Sequence, residues 1–128
     1  MSNYSDIFDA AKKGTVADME YFIENEGVDV NARDFFGNTP LHYVAERFPV
    51  NLELLEYLIA VNADVNAGDE PPRGGLDTDL GKTPLFKAAE RCSDVRVLEL
   101  LISAGANPNA TSDKGIPYNA NNFAFLRF

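Results

Sequence analysis

Apolar residues recur with helical spacing in three separated stretches of the chain, "ADMEYFIENEG", "LELLEYLIAVN" and "DVRVLELLISAG". In the middle stretch Leu54, Leu55, Leu58 and Ile59 follow at one-, three- and four-residue steps, while Glu53 and Glu56 fall on the other side. That is the pattern of a helix with one packed face and one wet face. Gly27, Asn62 and Gly105 stand just after these stretches, where a helix commonly ends in a left-handed residue. Glycine adopts that conformation without a Cβ clash, and asparagine is its common substitute. Shorter segments precede them, with small residues at Ala10 and Ala11, at Ala45, and at Ala88 and Ala89 that let neighbouring helices approach closely. Thr39 and Thr83 are suited to cap the starts of two of these, because a hydroxyl can accept from a free first-turn amide. Pro40 and Pro84 then take the first helical position, where no donor is missed. The pattern predicts pairs of helices, a short inner one and then an amphipathic one.

The pairs repeat. "EGVDVNA" at 26–32, "VNADVNA" at 61–67 and "SAGANPNA" at 103–110 end three segments alike, and "GNTPLHYVAE" from Gly37 and "GKTPLFKAAE" from Gly81 begin two alike. Recurrence after 33 residues plus insertions points to stacked supersecondary units. "DFFGNTPLH" followed by "NADVNA" resembles the ankyrin repeat, with its D-x-x-G-x-T-P-L-H start and G-A-D-V-N-A finish; the resemblance covers roughly residues 5–117. It implies an all-α solenoid of about three helix pairs with projecting finger loops, forming one domain over residues 1–128. Its parts are an N-terminal capping repeat at 5–33, repeats at 34–67 and 78–110, an inserted finger loop at 68–77, and a degenerate C-terminal repeat and tail at 111–128.

Three departures from the repeat stand out. "GDEPPRGGLD" at 68–77 adds prolines, glycines and charges that favour an exposed loop; such insertions often take part in binding, although a longer loop is also tolerated at little entropic cost. "RFPVN" at 47–51 lengthens the turn between two helices, on the side away from the fingers, and reads as a packing variation. "FAFLRF" at 123–128 is strongly apolar; covering the open end of the stack is favoured over docking a partner or a second copy.

A hydrophobic fraction of 45% with nine Phe and five Tyr supports a packed core in 128 residues. The net charge of −9 disfavours nucleic acid and anionic membrane and favours a basic protein partner, unless it serves solubility alone. The opening "MSNYSDIFDAAKKG" lacks a signal-peptide core, no stretch is long enough for a membrane helix, and Cys92 is the lone cysteine, so a reducing, cytoplasmic setting is expected. "NYS" at Asn3 and "NAT" at Asn109 are then chance matches to a glycosylation pattern.

No catalytic arrangement is visible. His42 is the single histidine and, by the resemblance, hydrogen-bonds within and between fingers. Cys92 has no recognisable base to activate it. Asp29, Asp64, Asn31, Asn66 and Asn109 belong to the repeated finish, where short polar side chains bridge to nearby backbone in tight turns. Phosphate-loop and calcium-loop patterns are missing, so no cofactor or metal is implied.

What remains is a surface. The resemblance places partners against the finger tips and the exposed faces of the first helices, which by motif position means Lys12, Lys13, Phe35, Phe36, Asn38, Glu46, Arg47, Asp79, Leu80, Lys82, Glu90, Arg91, Asp113 and Lys114. The inserted loop adds Asp69, Glu70 and Arg73. Asp34 and Gly37 take the turn-forming positions, so Phe35 and Phe36 are tip residues; partner contact is favoured over folding back onto the long loop. The expected function is a non-enzymatic protein-binding module, an adaptor or a stoichiometric inhibitor. A narrower alternative is an immunity protein that neutralises a basic toxin such as a nuclease. An enzyme or small-ligand binder on the same scaffold is disfavoured. The chain is expected to be a monomer unless the apolar tail mediates self-association.

Overall fold

The computed structural model describes residues 3–68, 82–91 and 94–107, with Arg91 as backbone only. Six α-helices make three pairs: α1 (Ile7–Lys13) with α2 (Val16–Glu20), α3 (Pro40–Glu46) with α4 (Leu52–Ala60), and α5 (Pro84–Arg91) with α6 (Val95–Ser103). A π-helical turn, Tyr21–Asn25, continues α2. There is no strand among the described residues. The expected all-α stack of three helix pairs is therefore present.

The helix starts follow from side-chain capping. Asp6 accepts from the Asp9 amide at 2.8 Å, Asn51 from Leu54 at 3.1 Å, Thr83 from Phe86 at 3.2 Å, and Asp94 from Arg96 at 3.0 Å. Each satisfies one of the first-turn donors that a helix leaves open. Thr15 forms a reciprocal box with Asp18, and Thr39 does so with His42. The helix ends obey the expected rule. Gly27, Asn62 and Gly105 have φ of 68°, 71° and 103°. After each, a backbone amide folds back onto the helix: Val28 to the Phe22 carbonyl, Ala63 to Leu58 and Ala106 to Leu101, at 2.9, 3.0 and 2.9 Å. The first of these spans one residue more than the others. The π turn, closed by the Glu26 amide on the Tyr21 carbonyl at 3.1 Å, absorbs that extra residue.

The pairs stack in two layers. Helix α3 packs between α1 and α5, and α4 between α2 and α6. The first-helix layer is close-packed through Ala10, Ala11, Val44, Ala45 and Ala88, all fully buried. Between the layers lie Met19, Leu41, Leu54, Leu55, Leu58, Leu85, Val97 and Leu101, while Glu53 and Glu56 are exposed. The longer α3–α4 turn has its own anchor. Arg47 donates from Nη1 to the carbonyls of Ala11 and Gly14, at 3.1 and 3.0 Å, and so ties the second pair to the turn of the first.

The unit finishes act as rungs. Asp29 and Asp64 each accept the amide two residues on, at 2.8 and 2.9 Å. This frees the asparagine side chains to reach the next unit. Asn31 Oδ1 accepts from the Asp64 amide at 2.7 Å, and Asn66 Oδ1 accepts from the Asn107 amide at 2.8 Å. Their Nδ2 groups donate to the carbonyls of Asn62 and Gly105 at 3.4 and 3.0 Å. Asn109, Cys92, most of the inserted loop and the 111–128 tail lie outside the described residues.

Candidate partner-binding surface

The finger of the second unit is a small rigid turn built on Asp34. Its carbonyl accepts from the Gly37 amide at 3.0 Å, its amide donates to the Asn38 carbonyl at 3.0 Å, and its Oδ1 accepts from the amides of Phe36 and Asn38, each at 2.9 Å. Gly37 has φ of 79°, a left-handed conformation that a side chain would strain. With the amides of Asp34, Phe36, Gly37 and Asn38 committed, the turn is fixed, and the two side chains between Asp34 and Gly37 project from it. Phe35 is 81% exposed and Phe36 63%, their rings edge to face with centroids 5.7 Å apart.

The finger is fastened on two sides by residues that sequence reasoning had not singled out. Tyr43, on α3, donates its hydroxyl to Asp34 Oδ2. Burial first, and then the hydrogen bond to Asp34, push the Tyr43 phenol far above the usual tyrosine range. Its ring is held in turn from α1, edge to face with Phe8 at 6.2 Å and beneath the Lys12 ammonium at 4.6 Å. Arg33 donates to the Gly37 carbonyl at 2.8 Å and to the Gly68 carbonyl, so it joins this finger to the start of the next. A tyrosine after Thr-Pro-Leu-His and an arginine before the turn carry no periodic signal, because their partners are set by the stacking of the units.

The other predicted surface residues fall into three groups. Lys12 and Lys13 at the end of α1 are exposed, Glu46 at the end of α3 is half-buried, and Lys82 pairs with Glu90 at 3.1 Å while lying over the Phe86 ring at 5.3 Å. Together with Phe35 and Phe36 they run along the finger and first-helix layer. Asn38 and Arg47 instead turn inward. Asn38 is buried, its Nδ2 3.4 Å from the Tyr43 hydroxyl, and burial lowers the pKa of the Arg47 guanidinium where it clamps its two carbonyls. Asp69, Glu70, Arg73, Asp79, Leu80, Asp113, Lys114 and the Arg91 side chain lie outside the described residues.

His42 stands beneath this surface, fully buried. Its Nδ1 accepts from the Thr39 amide at 3.1 Å, which leaves Nε2 to carry the proton and donate to the Lys82 carbonyl at 2.8 Å. It therefore joins the second finger to the third, as the resemblance implied.

A family model of ankyrin repeats, in three copies, matches residues 7–112. The chain belongs to the ankyrin-repeat family. Among its relatives, the human ankyrin repeat and SOCS box protein 6 is 33% identical over 104 residues, covering 77% of this chain and 22% of that protein. The Drosophila tyrosine-protein kinase Shark is 33% identical over 95 residues, covering 74% of this chain and 9% of the kinase. A putative ankyrin repeat protein of fowlpox virus is 46% identical over 41 residues, covering 32% of this chain and 6% of that protein. This chain thus spans about a fifth or less of the length of these relatives. Ankyrin repeats are generally protein–protein interaction modules, mostly without enzymatic activity.

The ankyrin layers differ sharply in charge. The second helices and their following turns, residues 15–29, 51–64 and 94–107, carry ten acidic residues against one base, Arg96, which pairs with Asp94 at 2.7 Å. The described first-helix and finger segments, 5–14, 30–50, 65–68 and 82–91, carry five acids and seven bases. Residues 69–81 add four acids and one base by sequence. The excess negative charge thus belongs to the second-helix layer, and the aromatic tip stands in a nearly balanced field. Among the described residues, no group of three or more His, Cys, Asp or Glu side chains is placed to hold a metal ion, and no helix is long and apolar enough to cross a membrane.

Proposed function

We propose that this ankyrin chain is a non-enzymatic protein-binding module, an adaptor or stoichiometric inhibitor, whose partner lies against the finger and first-helix layer. The observation that carries this reading is the Phe35–Phe36 tip, two large apolar side chains exposed on a turn whose backbone is already ordered. Rigid aromatics surrounded by polar groups have the composition of an interface hot spot, and a pre-ordered turn loses little entropy on binding. Lys12, Glu46, Lys82 and Glu90, along the same layer, supply polar groups to this surface. The unit boundaries at residues 33, 67 and 110 and a reducing, cytoplasmic setting belong to the same reading.

A second reading, an immunity protein against a basic toxin such as a nuclease, is favoured by the ten acidic residues of the second-helix layer. The two readings use different faces, so one experiment separates them. Affinity capture with the wild-type chain, with Phe35→Ala/Phe36→Ala, and with Glu20, Glu24, Glu53 and Glu56 changed to Gln should retrieve a specific protein that is lost only with the phenylalanines. Loss only with the glutamates would move the site to the outer layer, and retention by all three would reject both faces.

A further inference from the structure

We propose that Tyr43 is a positioning residue for this contact surface: its hydroxyl, by holding the Asp34 carboxylate, sets where the Phe35–Phe36 tip stands against the first helices. The proposal rests on the reading of that tip as the contact site.

The two oxygens of Asp34 have different tasks. Oδ1 is spent inside the finger, on the amides of Phe36 and Asn38. Oδ2 faces out of the turn and accepts from Tyr43, nine residues along the chain on α3. Loss of the hydroxyl therefore leaves the internal shape of the turn intact and frees its α3 side, while Arg33 still ties the Gly37 carbonyl to Gly68. Tyr43 is itself held from the neighbouring unit, by the Phe8 ring edge and the Lys12 ammonium. The position of the tip is thus set by α1 as well as α3. The bond ends on a carboxylate, which makes it stronger than a bond between neutral groups, and its loss also strips the Asn38 Nδ2 of its 3.4 Å neighbour. Phenylalanine at position 43 keeps the ring contacts and removes only the hydroxyl, with its bond to Asp34 and its contact with Asn38.

The test uses two nanobodies raised against the full chain. One is selected for loss of binding to Phe35→Ala/Phe36→Ala, so that its epitope is the tip; the other binds the outer face of α4 around Glu53 and Glu56. Tyr43→Phe should weaken the tip nanobody about tenfold, the size expected when a charge-assisted hydrogen bond holding one of two states is removed. The α4 nanobody should change less than about twofold, since its epitope lies on the other layer. Asp34→Asn approaches the same bond from the finger side, removes the Oδ2 acceptor and should act in the same direction. Unchanged tip binding in both variants would overturn the proposal, as would equal weakening of the two nanobodies, which would mark a general loss of stability. The tip nanobody does not depend on a natural partner. Its result therefore bears on Tyr43 alone, whereas a captured partner indifferent to Phe35 and Phe36 would count against the proposed function.

Discussion

His42 and Lys82 lie forty residues apart in sequence, yet the imidazole Nε2 donates to the Lys82 backbone carbonyl at 2.8 Å. The same ring accepts the Thr39 amide on its other nitrogen, so one buried side chain closes the cap of α3 and links it to the start of α5. In the third unit Phe86, which has no ring nitrogen, occupies the matching position.

His42→Ala removes the bonds to Thr39 and Lys82 and leaves a buried void beneath the fingers. It should cost about 2–4 kcal/mol, the range for an unpaired buried group together with a core cavity. Urea unfolding followed by far-ultraviolet circular dichroism reads this directly. A loss under about 1 kcal/mol would show that water or a shifted backbone replaces the imidazole at little cost.

The asparagine rungs predict a second, smaller effect. Asn66→Ala leaves the Asn107 amide and the Gly105 carbonyl without their side-chain partner, and the site is exposed enough for water to compensate in part. The expected cost is about 1 kcal/mol. Asn31→Ala should match it, since its two bonds to Asn62 and Asp64 repeat the pattern. The two side chains bond different groups and meet only through the Asp64 backbone and carboxylate, so the double variant should be additive within about 0.5 kcal/mol. Strong coupling would mean that the stack responds as one body rather than unit by unit.

Much of this architecture is legible in the chain because it depends on local sterics. The left-handed stops at Gly27, Asn62 and Gly105, the capping at Thr39 and Thr83, and the burial of Leu54, Leu55 and Leu58 each follow from a few neighbouring residues. What escapes is set by the stacking itself. Arg47 is paired with carbonyls thirty-six and thirty-three residues earlier, and Arg33 with one thirty-five residues later. Motif position assigns Asn38 and Arg47 to the contact surface, since the repeat specifies where a residue sits but not which way its side chain turns. Tyr43 escapes for the same reason: its hydroxyl acquires a role only once Asp34 is brought above it.

Tyr43 also predicts a pH dependence. In the folded chain its phenol ionises above the ordinary value of 10.0, first through burial and then through the bond to Asp34. An unfolded chain loses this proton near pH 10 while the folded chain still holds it, so the contribution is fully present below that pH and is lost as pH rises further. The slope from this one group is at most about 1.4 kcal/mol per pH unit. Tyr57 is shifted in the same direction by burial and by the nearby carboxylates of Glu24 and Glu20, and adds to the slope. Urea midpoints at pH 9, 10 and 11 should therefore fall less steeply in Tyr43→Phe than in the wild type. Parallel slopes would mean that Tyr43 titrates alike in both states.

The separation of charge from aromatic surface supplies the last prediction. Phe35→Ala with Phe36→Ala removes side chains that are mostly in water already, so the melting temperature should move by no more than about 2 °C, while partner affinity falls by about 2–4 kcal/mol. Changing Glu20, Glu24, Glu53 and Glu56 to Gln should leave affinity for the same partner within about twofold at physiological salt. The reason is distance. The packed helix layers are about 8–10 Å apart, close to the Debye length of about 8 Å at that ionic strength, so outer-layer charge reaches the tip only after screening. Lowering the salt lengthens the screening distance, and the glutamate variant should then differ from the wild type in association rate before it differs in dissociation rate. Surface plasmon resonance across a salt series separates the two. A large change in dissociation rate for the glutamate variant at physiological salt would place the partner on the second-helix layer and remove the aromatic tip from the centre of the interface.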